Sequence, residues 1–204
     1  MEDLEKKFDR TSRLYDWIDW PFERFRYRKI RQRIWEGLSG KILDAGVGTG
    51  CNIPFYPMNS CVVGVDLSQG MLTKAKKKAC SLGKTVDLKK ASVYQLPFPD
   101  ESFDFIVATF LCCVVDRPAL AARELKRICK KGGRIYFLEY VLSQKPLRRF
   151  IQRTVTPYTR FMFGVDFTQN TLATLRKEGF QIICEENITG DVLKLIVAGP
   201  EKDL

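Results

Sequence analysis

Lys41-Ile42-Leu43-Asp44-Ala45-Gly46-Val47-Gly48-Thr49-Gly50 reads as a short apolar strand that runs directly into a glycine-rich turn. Glycines in such a turn permit positive φ and let a ligand touch the backbone. Outward from it, Cys61-Val62-Val63-Gly64-Val65-Asp66 reads as a second strand, and its terminal acid falls twenty residues after Gly46. A carboxylate in that position can accept both hydroxyls of a ribose. Turn and acid together point to a nucleoside-bearing cofactor. The dinucleotide fingerprint requires G-x-G-x-x-G/A, and its last position here is Cys51. A G-x-G-x-G turn suits a cofactor without a phosphate, whose amino-acid tail lies over the turn. A nicotinamide-dependent oxidoreductase is the rival on this evidence, and a glycine turn with no ligand is the bland alternative.

The rest of the chain alternates strands with helices. Gln69–Leu82 suits a lysine-rich helix stopped by Gly83, and Val86–Ala91 a weaker third strand. Phe103–Phe110 is almost wholly apolar, as a strand covered on both faces should be. Pro118 opens a helix to about Lys130, and Gly132-Gly133 turns the chain into a fifth strand, Arg134–Val141. Residues 144–165 interrupt the alternation. A helix over Thr168–Glu178 and strands near Phe180–Ile183 and Val192–Ala198 follow. Residues 1–37 read as helical: Pro21 starts a helix, Tyr27, Ile30, Ile34 and Leu38 recur on one face, and Gly37 and Gly40 end it. The pattern predicts a parallel sheet with helices on both faces and right-handed crossovers. Ligands of such sheets sit beyond the carboxyl ends of the strands, which places the chemistry at Asp44–Gly50, Asp66, Ser92–Leu96 and Thr109–Cys113.

Composition removes several function classes. The 204 residues contain no histidine, which excludes a Ser-His-Asp triad, a Cys-His pair and every histidine-ligated metal site. The seven cysteines include no C-x-x-C pair, so neither a zinc knuckle nor a thioredoxin-like motif is present. No metal is expected. No stretch approaches the ~18 apolar residues of a membrane span, and the first residues lack the layout of a secretory signal. The expected address is the cytoplasm, with peripheral attachment to a membrane.

That attachment is read from charge. Thirty-four Lys and Arg oppose twenty-four Asp and Glu, a net +10. Residues 24–33 hold six of the basic residues and 144–163 hold five, with no acid in either, so the remaining chain is nearly balanced. Both segments interleave charge with large apolar groups: Phe25, Tyr27 and Ile30 in one, Phe150, Ile151, Phe161, Met162 and Phe163 in the other. Such surfaces suit an anionic membrane or a nucleic acid. The bland alternative is a solvated charged face whose aromatics belong to the core.

The ordered motifs resemble those of class I S-adenosylmethionine-dependent methyltransferases. The turn at Asp44–Gly50 is similar to their first motif, and Val65-Asp66-Leu67-Ser68-Gln69-Gly70-Met71-Leu72 to their acidic second motif. Leu96-Pro97-Phe98-Pro99-Asp100-Glu101-Ser102-Phe103-Asp104 resembles the segment leading into the fourth strand, and Leu125–Ile128 with Lys131–Arg134 the helix and glycine turn before the fifth. The resemblance covers roughly residues 40–140. The subgroup resembled is the type-11 set: quinone-biosynthesis methyltransferases, bacterial phosphatidylethanolamine N-methyltransferases and membrane-associated thiol methyltransferases. Asn52-Ile53-Pro54-Phe55-Tyr56 and Leu138-Glu139-Tyr140-Val141 look most like the last two.

The resemblance implies a Rossmann-like, seven-stranded, mostly parallel sheet in a single domain over 1–204. It has an N-terminal helical lid (1–37), a cofactor-binding core (41–140) and a basic, aromatic helical insertion after the fifth strand (144–165). It implies S-adenosylmethionine as cofactor. Gly46, Gly48 and Gly50 pass under its methionine part, with Asp44 beside the amino group. Asp66 takes the ribose hydroxyls, Leu67 and Met71 flank the adenine, and Ser92, Val93 and Thr109 complete the binding set. Relatives usually carry an acid where Ser92 stands. Tyr15-Asp16 resembles a lid pair of many relatives. Tyr15, Glu139 and Tyr140 are the candidate catalytic residues, with Asp16 and Asp166 as further possible bases. The apolar segments around these positions favour an amphipathic acceptor: a lipid head-group amine first, with a quinone or a small thiol as alternatives. A nucleic-acid acceptor is disfavoured, because no N-P-P-Y or D-P-P-Y tetrapeptide follows the fourth strand; Thr109-Phe110-Leu111-Cys112 stands there instead.

Overall fold

The computed structural model describes residues 27–200. Two compact units divide the chain, Met1–Val93 and Tyr94–Leu204. The first unit contains helix α1 (Arg28–Trp35), strand β1 (Lys41–Ala45), a 3-10 turn at Ile53–Phe55, β2 (Cys61–Asp66), α2 (Gln69–Ser81) and β3 (Asp87–Lys90). β2 lies between β1 and β3 and is parallel to both. Ile42, Leu43, Ala45, Val63 and Val65 are buried, which explains why β1 and β2 read as unbroken apolar runs. The Ser68 side chain caps α2 by accepting the Met71 N–H at 3.1 Å, and Gly83 takes up positive φ just past its end.

The second unit contains β4 (Phe103–Thr109), α3 (Pro118–Ile128), β5 (Cys129–Tyr140), α4 (Pro146–Phe163), α5 (Thr171–Lys177), β6 (Phe180–Thr189) and β7 (Leu193–Pro200). β4 and β5 are parallel, and β7 is antiparallel to β5 and β6. The seven strands form one mostly parallel sheet, the expected architecture.

Several boundaries differ from the expectation. β5 starts at Cys129 because the glycine pair does not end a helix but bulges within a strand: Phe103 pairs with Cys129 and Phe105 with Arg134. A Cβ on Gly133 would stand 2.7 Å from Cys129 Sγ and 2.8 Å from the Asp104 carbonyl, so only glycine fits that approach. α5 starts at Thr171 because Asn170, rather than Thr168, caps it, accepting the Ala173 N–H at 3.1 Å. The third difference concerns the basic segment 24–33. Within it Tyr27 and Ile30 are buried, and Arg31 is only 4% exposed, while Arg28, Lys29 and Arg33 are outward. Its described apolar groups therefore belong to the core. Phe25 and Arg26 lie outside the described residues, as do Tyr15, Asp16 and the other residues 1–24 of the expected lid.

Candidate functional site

In the first unit the glycine turn follows β1 directly. The N–H groups of Gly46 and Val47 both donate to the Val65 carbonyl at 2.9 Å, which pins the turn to the carboxyl end of β2. Gly46, Gly48 and Gly50 have φ of +74°, +55° and +82°. Asp66 holds the same turn from the other side. Its Oδ2 accepts the Gly48 N–H at 2.9 Å and its Oδ1 accepts the Ser68 N–H at 2.9 Å. The acid remains partly exposed, as do Gly46, Gly48, Leu67 and Ser92. Met71 and Val93 are buried.

The glycines differ in what they face. A Cβ on Gly48 would meet nothing nearer than the Gly46 carbonyl at 3.9 Å, whereas one on Gly50 would stand 2.6 Å from Ile53 Cδ1 and 3.2 Å from Ala75 Cα. Gly48 leaves a cradle in front of the turn. Gly50 lets the turn pack on the 3-10 turn and on α2. The donor set fits a nucleoside with an amino-acid tail: an open cradle at Gly48, backbone held in a fixed shape, and a carboxylate at the end of the next strand.

Asp44, expected beside the cofactor's amino group, is held by partners within the chain. Its carboxylate is 0% exposed. It accepts Asn52 Nδ2 at 2.9 and 3.1 Å and the Tyr56 hydroxyl at 2.5 Å. Asn52 Oδ1 in turn accepts Arg31 Nη1 from α1 at 2.7 Å. Burial pushes the Asp44 carboxyl up to about 6, against the pull of Tyr56, Asn52 and Arg31. Burial, then the charge of Asp44, raises the Tyr56 hydroxyl. This chain of Arg31, Asn52, Asp44 and Tyr56 ties α1 to the base of the glycine turn. Sequence reasoning did not assign these partners. The one signal was the i, i+4 spacing of Asn52 and Tyr56 right after the turn.

In the second unit Thr109 is buried at the end of β4. Phe110 follows with a φ of +57°, held by its N–H on the Leu138 carbonyl at 2.8 Å. The Phe110 and Tyr140 rings lie 5.2 Å apart, and Tyr140 meets Phe167 edge-on at 4.8 Å. The three rings form an aromatic cluster beside the carboxyl ends of β4 and β5. Glu139 points the other way. It is fully buried, and its carboxylate accepts the N–H groups of Leu111 at 2.8 Å, Cys112 at 2.7 Å and Cys113 at 3.1 Å. Burial pushes it up to about 7 although these donors pull it down. Glu139 thus shapes the turn after β4. Asp166 is likewise spent locally, on Thr168 and Gln169.

The chain is similar to known methyltransferases. Residues 43–137 match the model of the methyltransferase domain family. The chain is 37% identical over 108 residues to a phosphatidylethanolamine N-methyltransferase of Cereibacter sphaeroides, covering 52% of this chain and 53% of that protein. It is 31% identical over 155 residues to the ubiquinone/menaquinone biosynthesis C-methyltransferase UbiE of Geotalea daltonii, covering 68% and 63%. The aligned regions thus span about half to two thirds of these relatives' length. A solved methyltransferase of Thermotoga maritima, described as a possible histamine N-methyltransferase, superposes with a TM-score of 0.71 at 24% identity, covering 97% of this chain and 99% of that one. Residues 43–137 are a methyltransferase domain.

Proposed function

We propose that the chain methylates the head-group amine of a phospholipid of the phosphatidylethanolamine class at a membrane surface. The observation that carries this reading is the aromatic cluster of Phe110, Tyr140 and Phe167. Ring faces attract alkylammonium groups more strongly as those groups lose hydration, and each methyl added to an amine does that. The relationship to the Cereibacter phosphatidylethanolamine enzyme supports the same acceptor.

S-adenosylmethionine, when bound, supplies a methyl group already activated on a sulfonium. The chain's own task is alignment and exclusion of water. Gly46 and Gly48 would offer backbone to its amino-acid tail, Asp66 would take the ribose hydroxyls, and Leu67, Met71, Ser92 and Val93 would line the base. The resemblance also assigns Thr109 to this set. Of the three candidate catalytic residues, Tyr15 lies outside the described residues and Glu139 is committed to backbone. Tyr140 is the one we assign to the acceptor, holding its nitrogen against the rings. Tyr15 and Asp16 stay with the proposed lid.

The test offers labelled S-adenosylmethionine with phosphatidylethanolamine vesicles, a demethylated quinone, a small thiol and a tRNA pool. Label in the lipid amine is expected. Phe110→Ala and Tyr140→Phe should lower kcat/KM for lipid while leaving S-adenosylhomocysteine affinity unchanged. Label in quinone or thiol alone would overturn the acceptor.

A further inference from the structure

α4 is built inside out. Its attachment to the rest of its unit is polar. Gln152 donates to the Val141 carbonyl at 2.9 Å and accepts the Ser143 N–H at 2.8 Å. Arg149 reaches the Ser143 carbonyl at 3.0 Å, and Thr159 the Val165 carbonyl at 2.9 Å. Thr156 is its one buried residue. The large apolar side chains are outside. Leu147, Phe150 and Phe161 are 72%, 68% and 72% exposed, and Ile151, Tyr158 and Met162 are exposed with them. Of the eleven large apolar side chains exposed among the described residues, seven belong to this helix.

At about 100° per residue these groups fall on one face roughly 140° wide. Arg148 borders that face on one side, and Arg153 and Arg160 lie toward the other. A surface helix in water turns its stripe inward, so a stripe turned outward marks a contact. The helix holds four arginines and no acid, which sets the chemistry of what it meets. A second copy docked face to face would bring arginine against arginine. An anionic bilayer answers both features: the apolar face enters the head-group boundary, and Arg153 meets the phosphates, while Arg148 and Arg160 also face Asp191 and Asp166. No described helix is long and apolar enough to cross a membrane, so the helix would lie in the surface.

We infer that α4 is an in-plane anchor that seats the chain on an anionic lipid surface, with Leu147, Phe150 and Phe161 its most exposed apolar groups. This rests on the reading above that the acceptor is a lipid, and names the element that meets it.

The experiment is co-sedimentation of the full chain with vesicles of phosphatidylcholine alone or with phosphatidylglycerol at 30 mol%, at low and physiological salt. Wild type is compared with Phe150→Ser/Phe161→Ser and with Arg153→Glu. The altered positions are exposed, so an unchanged melting temperature and S-adenosylhomocysteine affinity are expected. The double variant should lose at least tenfold in partitioning. Arg153→Glu should lose several-fold on the anionic vesicles alone. Equal binding by all three proteins would overturn the inference. So would a wild-type dimer that the double variant dissociates, or vesicle binding that requires removal of residues 1–26, since either would show the stripe already covered. Methylation separates this result from the acceptor reading. If the lipid acceptor is right, the double variant methylates monomeric dihexanoyl phosphatidylethanolamine like wild type and loses activity on vesicles. Anchoring with no label in any amine lipid would refute the acceptor and leave the anchor standing.

Discussion

Gly48 and Gly50 have positive φ of +55° and +82°, yet are glycine for different reasons. Gly48→Val forces a branched residue into a left-handed conformation and fills the cradle in front of the turn. We expect S-adenosylhomocysteine affinity, read by titration calorimetry, to fall at least tenfold. Gly50→Ala instead drives a methyl into Ile53 and Ala75, and overpacking of that kind costs about 1–3 kcal/mol. Its signature is a lower melting temperature with a smaller loss of affinity. Asp66→Ala should abolish binding, because it also releases the Gly48 and Ser68 N–H groups; wild-type affinity there would sink the site assignment. Asn52→Leu removes the acceptor that Arg31 meets at 2.7 Å and a donor from buried Asp44. A buried charge left short of a partner costs on the order of 3 kcal/mol, which urea denaturation would register. The turn and Asp66 were legible because ligand-facing glycines and a strand-end acid form a local pattern. The partners of Asp44 were not: Arg31 and Asn52 stand twenty-one residues apart and meet only through packing.

At the scale of elements, β1, β2 and β4 were readable because strands covered on both faces have no polar phase to confuse. β6 was read too short. It exposes Cys184 and Glu185 on one stretch, and an edge strand with polar residues looks like loop. The start of β5 was misplaced because Gly132-Gly133 has the composition of a turn but sits in a bulge against β4. Glu139 shows how a strand can dictate the loop beside it. One carboxylate from β5 gathers three successive N–H groups after β4, and its buried acid was readable from sequence only as a candidate base. Glu139→Gln keeps the shape but has a single acceptor oxygen, and its amide faces at least one N–H. An unmet buried donor costs about 1–3 kcal/mol. We expect that loss in the urea midpoint. Ring contacts of Phe110 with Tyr140 should weaken in step, seen in near-ultraviolet dichroism.

Over the whole molecule two fully buried carboxylates among the described residues, Asp44 and Glu139, shape the pH dependence of folding. Asp44 is raised from 3.8 to about 6 and Glu139 from 4.5 to about 7, both chiefly by burial. A carboxyl whose folded pKa lies above its unfolded one binds protons more readily when folded. Its charged form therefore penalises the native state. That penalty is complete above about pH 7 and relieved as pH falls toward about 4. Other acids act in the opposite sense. Asp116, Glu124 and Glu178 are lowered, mainly by hydrogen bonds from Tyr94, Arg127 and Arg123 respectively, as is Asp191 by Ser143. Their stabilisation is intact above their unfolded values and disappears below them. The two trends cross on the acid side of neutrality, so stability should peak near about pH 5 rather than at the basic isoelectric point. A net charge of +10 grows on acidification and self-repels, so the profile belongs at physiological salt or above, where surface charge is screened. Asp44→Asn removes one of the two titrations while keeping a group that can accept from Asn52. Its unfolding free energy should vary less than wild type's between about pH 4 and 6, and in parallel with it at higher pH, where Glu139 still titrates. A wild-type profile that only rises from pH 5 to 8 would show that neither carboxylate carries the burial penalty.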